Sequence, residues 1–229
     1  MILAAHQPNY LPWLGYFCKL ANCDVFVVLD DVQFTRLSYQ NRTRIKGPTG
    51  PLWLTQPILH TGRAKQITSD VEFDNRADWR AKHMKTLTAN YGRGAHAVAM
   101  LELCRNWLGI EGMQLSQTNI RLIKEIAGLL GLRAEIVASS TLGVESTKAD
   151  RIIDICRRMG AKTYLSGQGA RAYQSEMQFK ECGIELLYSD FTAREYPQLW
   201  DEFCPGLSIV DALFNVGPVA TKAMLDDAR

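Results

Sequence analysis

The sequence has no long apolar run and almost no net charge. Its 229 residues carry 26 Lys and Arg against 24 Asp and Glu, a formal net charge of +2. A general DNA or RNA binder usually presents a strongly basic face, so this balance argues against nucleic acid as a partner. A membrane-spanning helix needs about 20 apolar residues in succession, and no such stretch occurs. We therefore expect a small-molecule substrate, which a few Arg and Lys could still bind if it is anionic.

The sequence also lacks a metal-binding or disulfide pattern. Its six cysteines lie at positions 18, 23, 104, 156, 182 and 204, and no two form a CxxC pair. This spacing fits neither a zinc site nor a disulfide framework, so we predict no metal site and expect reduced, buried thiols. The first residues have neither the basic start nor the cleavage site of a signal peptide. We therefore expect a cytoplasmic protein.

Apolar strands that alternate with amphipathic helices predict an α/β fold. Apolar residues make up 47% of the chain, enough for one sizeable core. The second predicted strand is almost continuously apolar, as in a strand covered on both faces. The strand–helix–strand order predicts a right-handed, mostly parallel, Rossmann-like sheet. Strands are predicted at residues 2–5, 24–29, 52–58, 135–138, 163–165 and 184–188.

A helical insertion is predicted between the two halves of this sheet, from about residue 75 to 131. Within it, Ser116 is expected to cap a helix that Gly131 ends. Two further helices are predicted at 14–21 and 149–159, and residues 33–51 are polar and turn-rich. We predict one domain, residues 1–229, with this insertion.

Three clusters of polar side chains follow predicted strands, at residues 6–13, 30–46 and 166–173. Ligands of parallel α/β sheets bind outside the carboxyl ends of the strands, near the point where the strand order reverses. The sequence therefore predicts that these three clusters converge on one site.

The first cluster contains two prolines, which exclude helix and strand there. The side chains of His6, Gln7, Asn9 and Tyr10 are thereby left at a strand end. His6 could serve as an acid or base, or as a hydrogen-bond donor to a phosphate or carbonyl. The alternative is a buried histidine that bonds only to backbone.

The second cluster contains both acidic and basic residues. Asp30 and Asp31 follow a buried strand, where paired carboxylates could hold Mg²⁺ or a sugar hydroxyl. Alternatively, one caps the next turn and the other is solvated. Arg42, Arg44 and Lys46 would share one face of an extended segment, and three such cations can clamp a phosphate or carboxylate. A solvated surface is the alternative for them.

The third cluster opens a helix with the residues Ser-Gly-Gln-Gly-Ala at 166–170. The exposed N–H groups of such a turn suit an anion, although a tight turn without a ligand is the alternative. No lysine of the kind found in phosphate loops lies nearby, but Arg171 and Tyr173 do. Cys18, near the first cluster, is expected to be structural, with a covalent role as the alternative.

Residues 6–17, with the sequence HQPNYLPWLGYF, closely resemble the WbqC-like family. The resemblance continues through residues 29–34, 41–46, 164–173 and 207–215. It implies a role in bacterial surface-polysaccharide (O-antigen, lipopolysaccharide) or natural-product biosynthesis. The activity it suggests is acyl or aminoacyl transfer to an amino sugar. The donor would be a phosphopantetheine or coenzyme A thioester, with an acyl carrier protein as a candidate partner and Mg²⁺ as a less favoured cofactor.

Residues 14–16 add a more distant resemblance. A strand, a proline-containing turn and then Leu-Gly-Tyr opening a helix is similar to the HxGH turn of nucleotidyl-transferase (HUP-type) folds. Tyr16 stands where the second His would be, which leaves nucleotide chemistry open. Two rival functions follow: a nucleotide- and Mg²⁺-dependent ligase or nucleotidyl transferase, and a non-catalytic scaffold that binds sugar nucleotides.

The favoured prediction is a transferase in which His6 acts as general base toward an amine. His6, Asp30 and Asp31 are the candidate catalytic residues. The candidate substrate-binding residues are Gln7, Asn9, Tyr10, Trp13, Tyr16, Gln33, Asn41, Arg42, Arg44, Lys46, Ser166, Gln168 and Tyr173.

Overall fold

A five-stranded parallel sheet lies at the centre of the protein, with a separate two-stranded hairpin beside it. The computed structural model describes residues 1–63, 65–109, 112, 114–172 and 174–226. The strands are β1 Ile2–His6, β2 Val25–Val28, β3 Arg42–Gly47, β4 Gly50–Thr55, β5 Glu135–Ala138, β6 Thr163–Gly167 and β7 Glu185–Ser189.

The central sheet has the order β5-β2-β1-β6-β7, and all four strand pairs are parallel. The chain proceeds outward from β1 through β2 to β5, then returns to the other side of β1 for β6 and β7. The strand order therefore reverses beside β1, as in Rossmann-like folds. The prediction of a mostly parallel, Rossmann-like α/β fold is confirmed.

Seven helices are described, and three of them lie between β4 and β5, in the region of the predicted insertion. Among the described residues, no helix combines the length and apolarity needed to cross a bilayer. The helices are α1 Leu14–Ala21, α2 Trp79–Tyr91, α3 Ala97–Leu108, α4 Leu115–Leu129, α5 Lys148–Met159, α6 Glu176–Glu181 and α7 Ile209–Asp226.

The predicted helix ends are correct at the glycines and wrong at Ser116. Gly131 and Gly160 follow α4 and α5 with φ of +63° and +71°, the left-handed conformation that glycine adopts easily. Helix α4 begins at Leu115 after Gln114, whose side chain makes no capping hydrogen bond. Ser116 is buried inside the first turn, because α4 begins with the buried Leu115 and its cap therefore lies two residues earlier than predicted.

Part of the segment predicted as turn-rich is a regular hairpin. Strands β3 and β4 pair antiparallel from Arg42 opposite Thr55 to Gly47 opposite Gly50. Thr43 and Ile45 of β3 are buried, so the basic residues that alternate with them point to the other face of the hairpin. The regular pairing stops at Thr55, so β4 ends three residues before the predicted position, although the Gln56 N–H still donates to the Asn41 carbonyl oxygen at 2.8 Å.

The two faces of the central sheet belong to different core clusters. Ala4 and Leu165 pack with α1, α4 and α7 on one face. Leu3 and Tyr164 pack with α5 and α6 on the other, where Tyr164 stacks on Phe179 with ring centroids 5.7 Å apart. Because successive strand residues alternate between faces, His6 of β1 shares the face of Ala4.

We predict that Gly217→Ala destabilises the protein by about 1–2 kcal/mol, because Gly217 has a left-handed φ of +77° inside α7. An added Cβ would also lie 2.5 Å from the His96 ring, which would have to move. Urea unfolding measures this change. The matched control is Gly128→Ala in α4, where nothing lies within 4 Å of an added Cβ, and it should preserve or raise stability. Equal unfolding midpoints for the two variants would contradict the prediction.

Candidate functional site

A cavity of about 320 Å³ opens at the carboxyl ends of β1 and β6, where the strand order reverses. Its size and position are those of a small-ligand site in a parallel α/β sheet. We call it the switch-point cavity. Its lining residues are His6, Trp13, Gly15, Tyr16, Lys19, Gly167, Gln168, Gly169, Ser189 and Phe191.

The loop between β1 and α1 is held from three directions. The carbonyl oxygen of Leu11 accepts hydrogen bonds from Thr43 Oγ1 at 3.0 Å and from Ser208 Oγ at 2.7 Å. Asn119 Nδ2 donates to the carbonyl oxygen of Pro8 at 2.9 Å. Hairpin, α4 and the start of α7 therefore fix the loop whose ends, His6 and Trp13, line the cavity.

Trp13 forms the rim of the cavity by lying over the start of α1. A Cβ added at Gly15 would come within 2.3 Å of the Trp13 ring, so only glycine leaves this space free. On its other side, Trp13 meets Phe191 edge to face, with ring centroids 5.6 Å apart. The Leu-Gly-Tyr part of the motif thus allows an aromatic rim.

His6 is held as a neutral imidazole in the cavity wall. Its Nδ1 lies 3.3 Å from the carbonyl oxygen of Gln7, which can only accept, so Nδ1 carries the proton of this hydrogen bond. Nε2 has no hydrogen-bond partner among the described residues, and its lone pair is free to accept a proton. Burial, and then the charge of Lys19, lower the pKa of His6 to about 3. The ring also contacts Tyr16, with centroids 4.9 Å apart.

Lys19 brings a buried positive charge to the same cavity. Its Nζ donates to the carbonyl oxygen of Ala5 at 2.9 Å, and it forms no ion pair with a described residue. Burial lowers the pKa of Lys19 to about 8, so Lys19 is still protonated in most molecules at neutral pH. A buried ammonium without a carboxylate is unfavourable until an anion joins it. Lys19 was not among the predicted site residues, although a single Lys among the apolar residues of α1 was the available signal.

The third wall comes from the ends of β6 and β7. Gln168, in a short 3₁₀ turn at residues 168–170, is exposed and donates from Nε2 to Asp190 Oδ1 at 3.4 Å. Gly167 and Gly169 have open space where a Cβ would be, so the absence of side chains keeps the cavity open here. Ser166 is buried and donates to Gln174 outside the cavity lining.

Asp30 and Asp31 lie outside the switch-point cavity, at the carboxyl end of β2. The Asp30 carboxylate accepts hydrogen bonds from the backbone N–H and the hydroxyl of Ser140, at 2.9 and 2.7 Å. Asp31 pairs with Arg151 and with the hydroxyl of Ser139. These contacts join the end of β2 to the turn after β5. Within the described residues, no three His, Cys, Asp or Glu side chains form a group that could hold a metal ion.

Arg42 and Arg44 lie on the outer face of the hairpin beside exposed aromatic rings. The Arg42 guanidinium lies 4.0 Å from the Trp53 ring centroid, and its Nε is buried without a hydrogen-bond partner. Arg44 is directly opposite Trp53, whose ring contacts Tyr39 at 5.6 Å. Lys46, on the same side of β3, is buried and donates to backbone carbonyls at residues 201–202.

The hairpin face lies close to the cavity rim. The N–H of Ser208 donates to the carbonyl oxygen of Arg44 at 2.8 Å, and Ser208 also forms an antiparallel bridge with Trp13. Ser208 therefore lies between Arg44 and Trp13, and neighbouring extended segments are about 5 Å apart. The backbones of Arg44 and Trp13 are thus about 10 Å apart. A ligand of nucleotide-sugar size could reach both.

The remaining predicted residues are not brought to the cavity. Gln7 contributes its carbonyl oxygen, which accepts from Tyr16 at 3.2 Å. Asn9 and Tyr10 are buried, and the Tyr10 hydroxyl lies 2.9 Å from His83 Nδ1 beneath the insertion. Gln33 is exposed on a bridge to Ile67, Asn41 is buried with an unpartnered Oδ1, and Tyr173 lies outside the described residues.

The structure therefore gathers four of the predicted residues, His6, Trp13, Tyr16 and Gln168, in one cavity. Besides Lys19, the cavity contains Ser189 and Phe191, which were not predicted because neither the end of β7 nor the segment after it carries a motif. Burial raises the pKa of the Cys18 thiol, which disfavours the thiolate that a covalent route would need.

A Rossmann-like sheet with a ligand-sized cavity at its switch point is the architecture of an α/β protein that binds a small molecule. Comparison with known sequences identifies the family: the chain belongs to the WbqC-like protein family, whose model matches residues 7–223. The uncharacterized protein Rv1507c of Mycobacterium tuberculosis is 36% identical over 220 residues, which cover 95% of each chain. No solved structure matches the chain. The family prediction is confirmed.

We predict that the imidazole of His6 titrates well below its usual value of 6.5, and that Lys19→Met raises its pKa by removing a nearby positive charge. The pKa should remain below 6.5, because burial is the larger cause. Two-dimensional NMR of the histidine rings over a pH series measures both values. The matched control is Lys82→Met, which removes a charge that lowers the pKa of His83 and should leave His6 unchanged. A His6 pKa near 6.5 in the wild type would contradict this account of the cavity.

Proposed function

We propose that the protein transfers an acyl or aminoacyl group from a thioester to an amine, and that the amine belongs to a nucleotide-linked amino sugar. The observation that carries this proposal is the combination of a neutral imidazole and a buried ammonium in one cavity at the switch point. Attack of an amine on a thioester needs a proton acceptor for the amine and a positive charge for the carbonyl oxygen.

His6 and Lys19 supply these two requirements in the proposed reaction. The amine nitrogen attacks the carbonyl carbon, a C–N bond forms, and the amine proton passes to Nε2 of His6. The carbonyl oxygen becomes negative and is stabilised by the ammonium of Lys19. The C–S bond then breaks, the oxygen regains its double bond, and the leaving thiolate takes the proton from His6. The products are an amide and a thiol, and His6 returns to its neutral form.

The low pKa of His6 is compatible with this role because the charge beside it changes during the reaction. Burial and then the charge of Lys19 both oppose an imidazolium. A negative oxygen next to Lys19 offsets that repulsion and favours proton transfer to His6 at the step where it is needed. Near neutral pH, His6 is the free base and most of Lys19 is cationic, so both groups begin in the required form.

The outer face of the hairpin is the proposed site for the phosphates of the acceptor. Arg42 and Arg44 provide cationic donors, and the buried Nε of Arg42 has no partner. The exposed rings of Trp53 and Tyr39 offer surfaces on which a base or sugar can stack. The separation of about 10 Å from the cavity rim allows the amine to reach His6 while the phosphates stay on the hairpin.

Family membership supports the biosynthetic part of the proposal, because resemblance to WbqC-like proteins implies surface-polysaccharide or natural-product assembly. The donor is a coenzyme A or phosphopantetheine thioester, the latter delivered by an acyl carrier protein. The reaction belongs in the cytoplasm, where such thioesters and nucleotide sugars meet.

The nucleotidyl-transferase alternative has less support. It assigns Mg²⁺ to Asp30 and Asp31, whose oxygens already accept hydrogen bonds from Ser139 and Ser140 or pair with Arg151. Calorimetric titration with ATP and Mg²⁺ separates the two functions, because only the alternative expects the metal to strengthen nucleotide binding.

We predict that His6→Ala lowers kcat by roughly 10²- to 10⁴-fold, the usual contribution of a general base. Purified protein is incubated with an acyl-coenzyme A and an amino-sugar nucleotide, and the amide product is measured by mass spectrometry. His60→Ala, at an exposed histidine, is the matched control and should retain wild-type turnover. Wild-type turnover by a folded His6→Ala variant would refute the role of His6.

We also predict that Arg42→Ala raises KM for the nucleotide-linked acceptor by roughly 10- to 100-fold, because charged hydrogen bonds to phosphate are lost. The value of kcat should change far less, since Arg42 is remote from the reacting carbonyl. Arg105→Ala, at an exposed arginine of α3, is the control. An unchanged KM in Arg42→Ala would remove the hairpin from the acceptor site.

A further inference from the structure

A second and larger cavity, of about 670 Å³, lies over strands β6 and β7. We call it the β6–β7 cavity. Its walls include the apolar side chains of Ile2, Leu165, Leu187, Ala193 and Met224. Its volume is within the range of small-molecule sites, which are lined mainly by apolar side chains.

The cavity occupies a part of the sheet that lacks full cover. Leu187 lies beside Leu165 in the register of β6 and β7, so it faces the α1 and α7 side of the sheet. Parallel sheets normally have both faces buried. Leu187 nevertheless remains 40% exposed in the middle of its strand. This apolar strand face is therefore suited to an apolar ligand.

The β6–β7 cavity adjoins the switch-point cavity. Ser189, at the end of β7, lines both. Ile2 and His6 lie on the same face of β1, because they are an even number of residues apart. In the sheet register Ile2 pairs with Thr163 of β6, and Thr163 pairs with Glu185 of β7. The distance along β7 from Glu185 to Ser189 is four residues, or about 13 Å. The larger cavity is thus elongated and ends where the proposed reaction occurs.

We infer that the β6–β7 cavity binds the aliphatic acyl chain of the donor thioester and sets the chain length that the protein accepts. The chain lies along the strands, between the sheet and the segment after β7, and its carbonyl carbon reaches the switch-point cavity beside His6. The apolar walls, the elongated shape and the shared Ser189 are the features that favour this ligand. The inference rests on the proposed function and narrows it to aliphatic acyl donors.

Binding of acetyl-, hexanoyl- and decanoyl-coenzyme A to the full chain, measured by isothermal titration calorimetry, tests the inference without requiring turnover. Affinity should increase with chain length, by up to about fourfold for each methylene that is buried. Leu187→Trp fills the cavity and should abolish this increase while leaving acetyl-coenzyme A binding unchanged. Val98→Trp adds the same ring at an 88% exposed position on α3 and should behave as wild type.

A wild-type affinity that is independent of chain length would overturn the inference, as would a folded Leu187→Trp variant that keeps the preference for long chains. If Leu187→Trp does not fold, Ala193→Phe narrows the cavity from another segment. Light scattering provides a further test, because a dimer that Leu187→Asp dissociates would assign this face to a second copy of the chain. Acetyl transfer without an effect of acyl-chain length would contradict only this inference. Binding of long-chain acyl-coenzyme A without transfer of any acyl group would contradict the proposed function.

Discussion

The position of β1 between β2 and β6 is the constraint on which the rest of the structure depends. Leu3 and Ala4 are fully buried, so β1 must be covered on both faces and paired on both edges. The chain leaves β1 at His6 where the strand order reverses, and none of the described strands or helices fills the crevice there. The loop, α1 and the ends of β6 and β7 then form the walls around that crevice. The place of the site is a result of topology, and its chemistry is a result of which side chains the loop and α1 supply.

The charge of Lys19 acts on His6 in the same cavity and lowers its pKa. The buried ammonium of Lys19, which donates to the Ala5 carbonyl and lies over the Phe26 ring, destabilises the folded protein at neutral pH because burial lowers its pKa to about 8. The lowered pKa of His6 adds a further cost only below pH 6.5, where the unfolded chain takes up a proton that the folded protein does not. An arrangement that is unfavourable when empty and relieved by negative charge is pre-organised for an anionic group or for an oxygen that becomes anionic during reaction.

Local signals were enough to predict the strands of the central sheet, the bounds of α1 and the glycines that end α4 and α5. The second strand of the hairpin was predicted, at residues 52–58, but the first was not, because it is basic and lies in a polar, turn-rich segment. Its pairing comes from burial of Thr43 and Ile45 against the rest of the protein, which no local pattern records. The roles of Asp30 and Asp31 could not be predicted either, because their partners Ser139 and Ser140 lie 108 to 110 residues away in sequence. Lys19 was not predicted, because a single lysine within a helix gives no indication that its side chain is buried beside a strand end.

The two hydroxyls that converge on the Leu11 carbonyl also determine when the site can form during synthesis. One belongs to Thr43, which is synthesised early, and the other to Ser208, which is synthesised much later. Strand β1, moreover, has no partner on its second edge until residues 163–167 have been made. The nascent protein therefore carries β1 with one unpaired edge until β6 is made, and the loop after β1 gains its second hydroxyl partner only once residue 208 has been added. Chains that terminate early would expose the unpaired edge of this strand, which favours aggregation and recognition by chaperones.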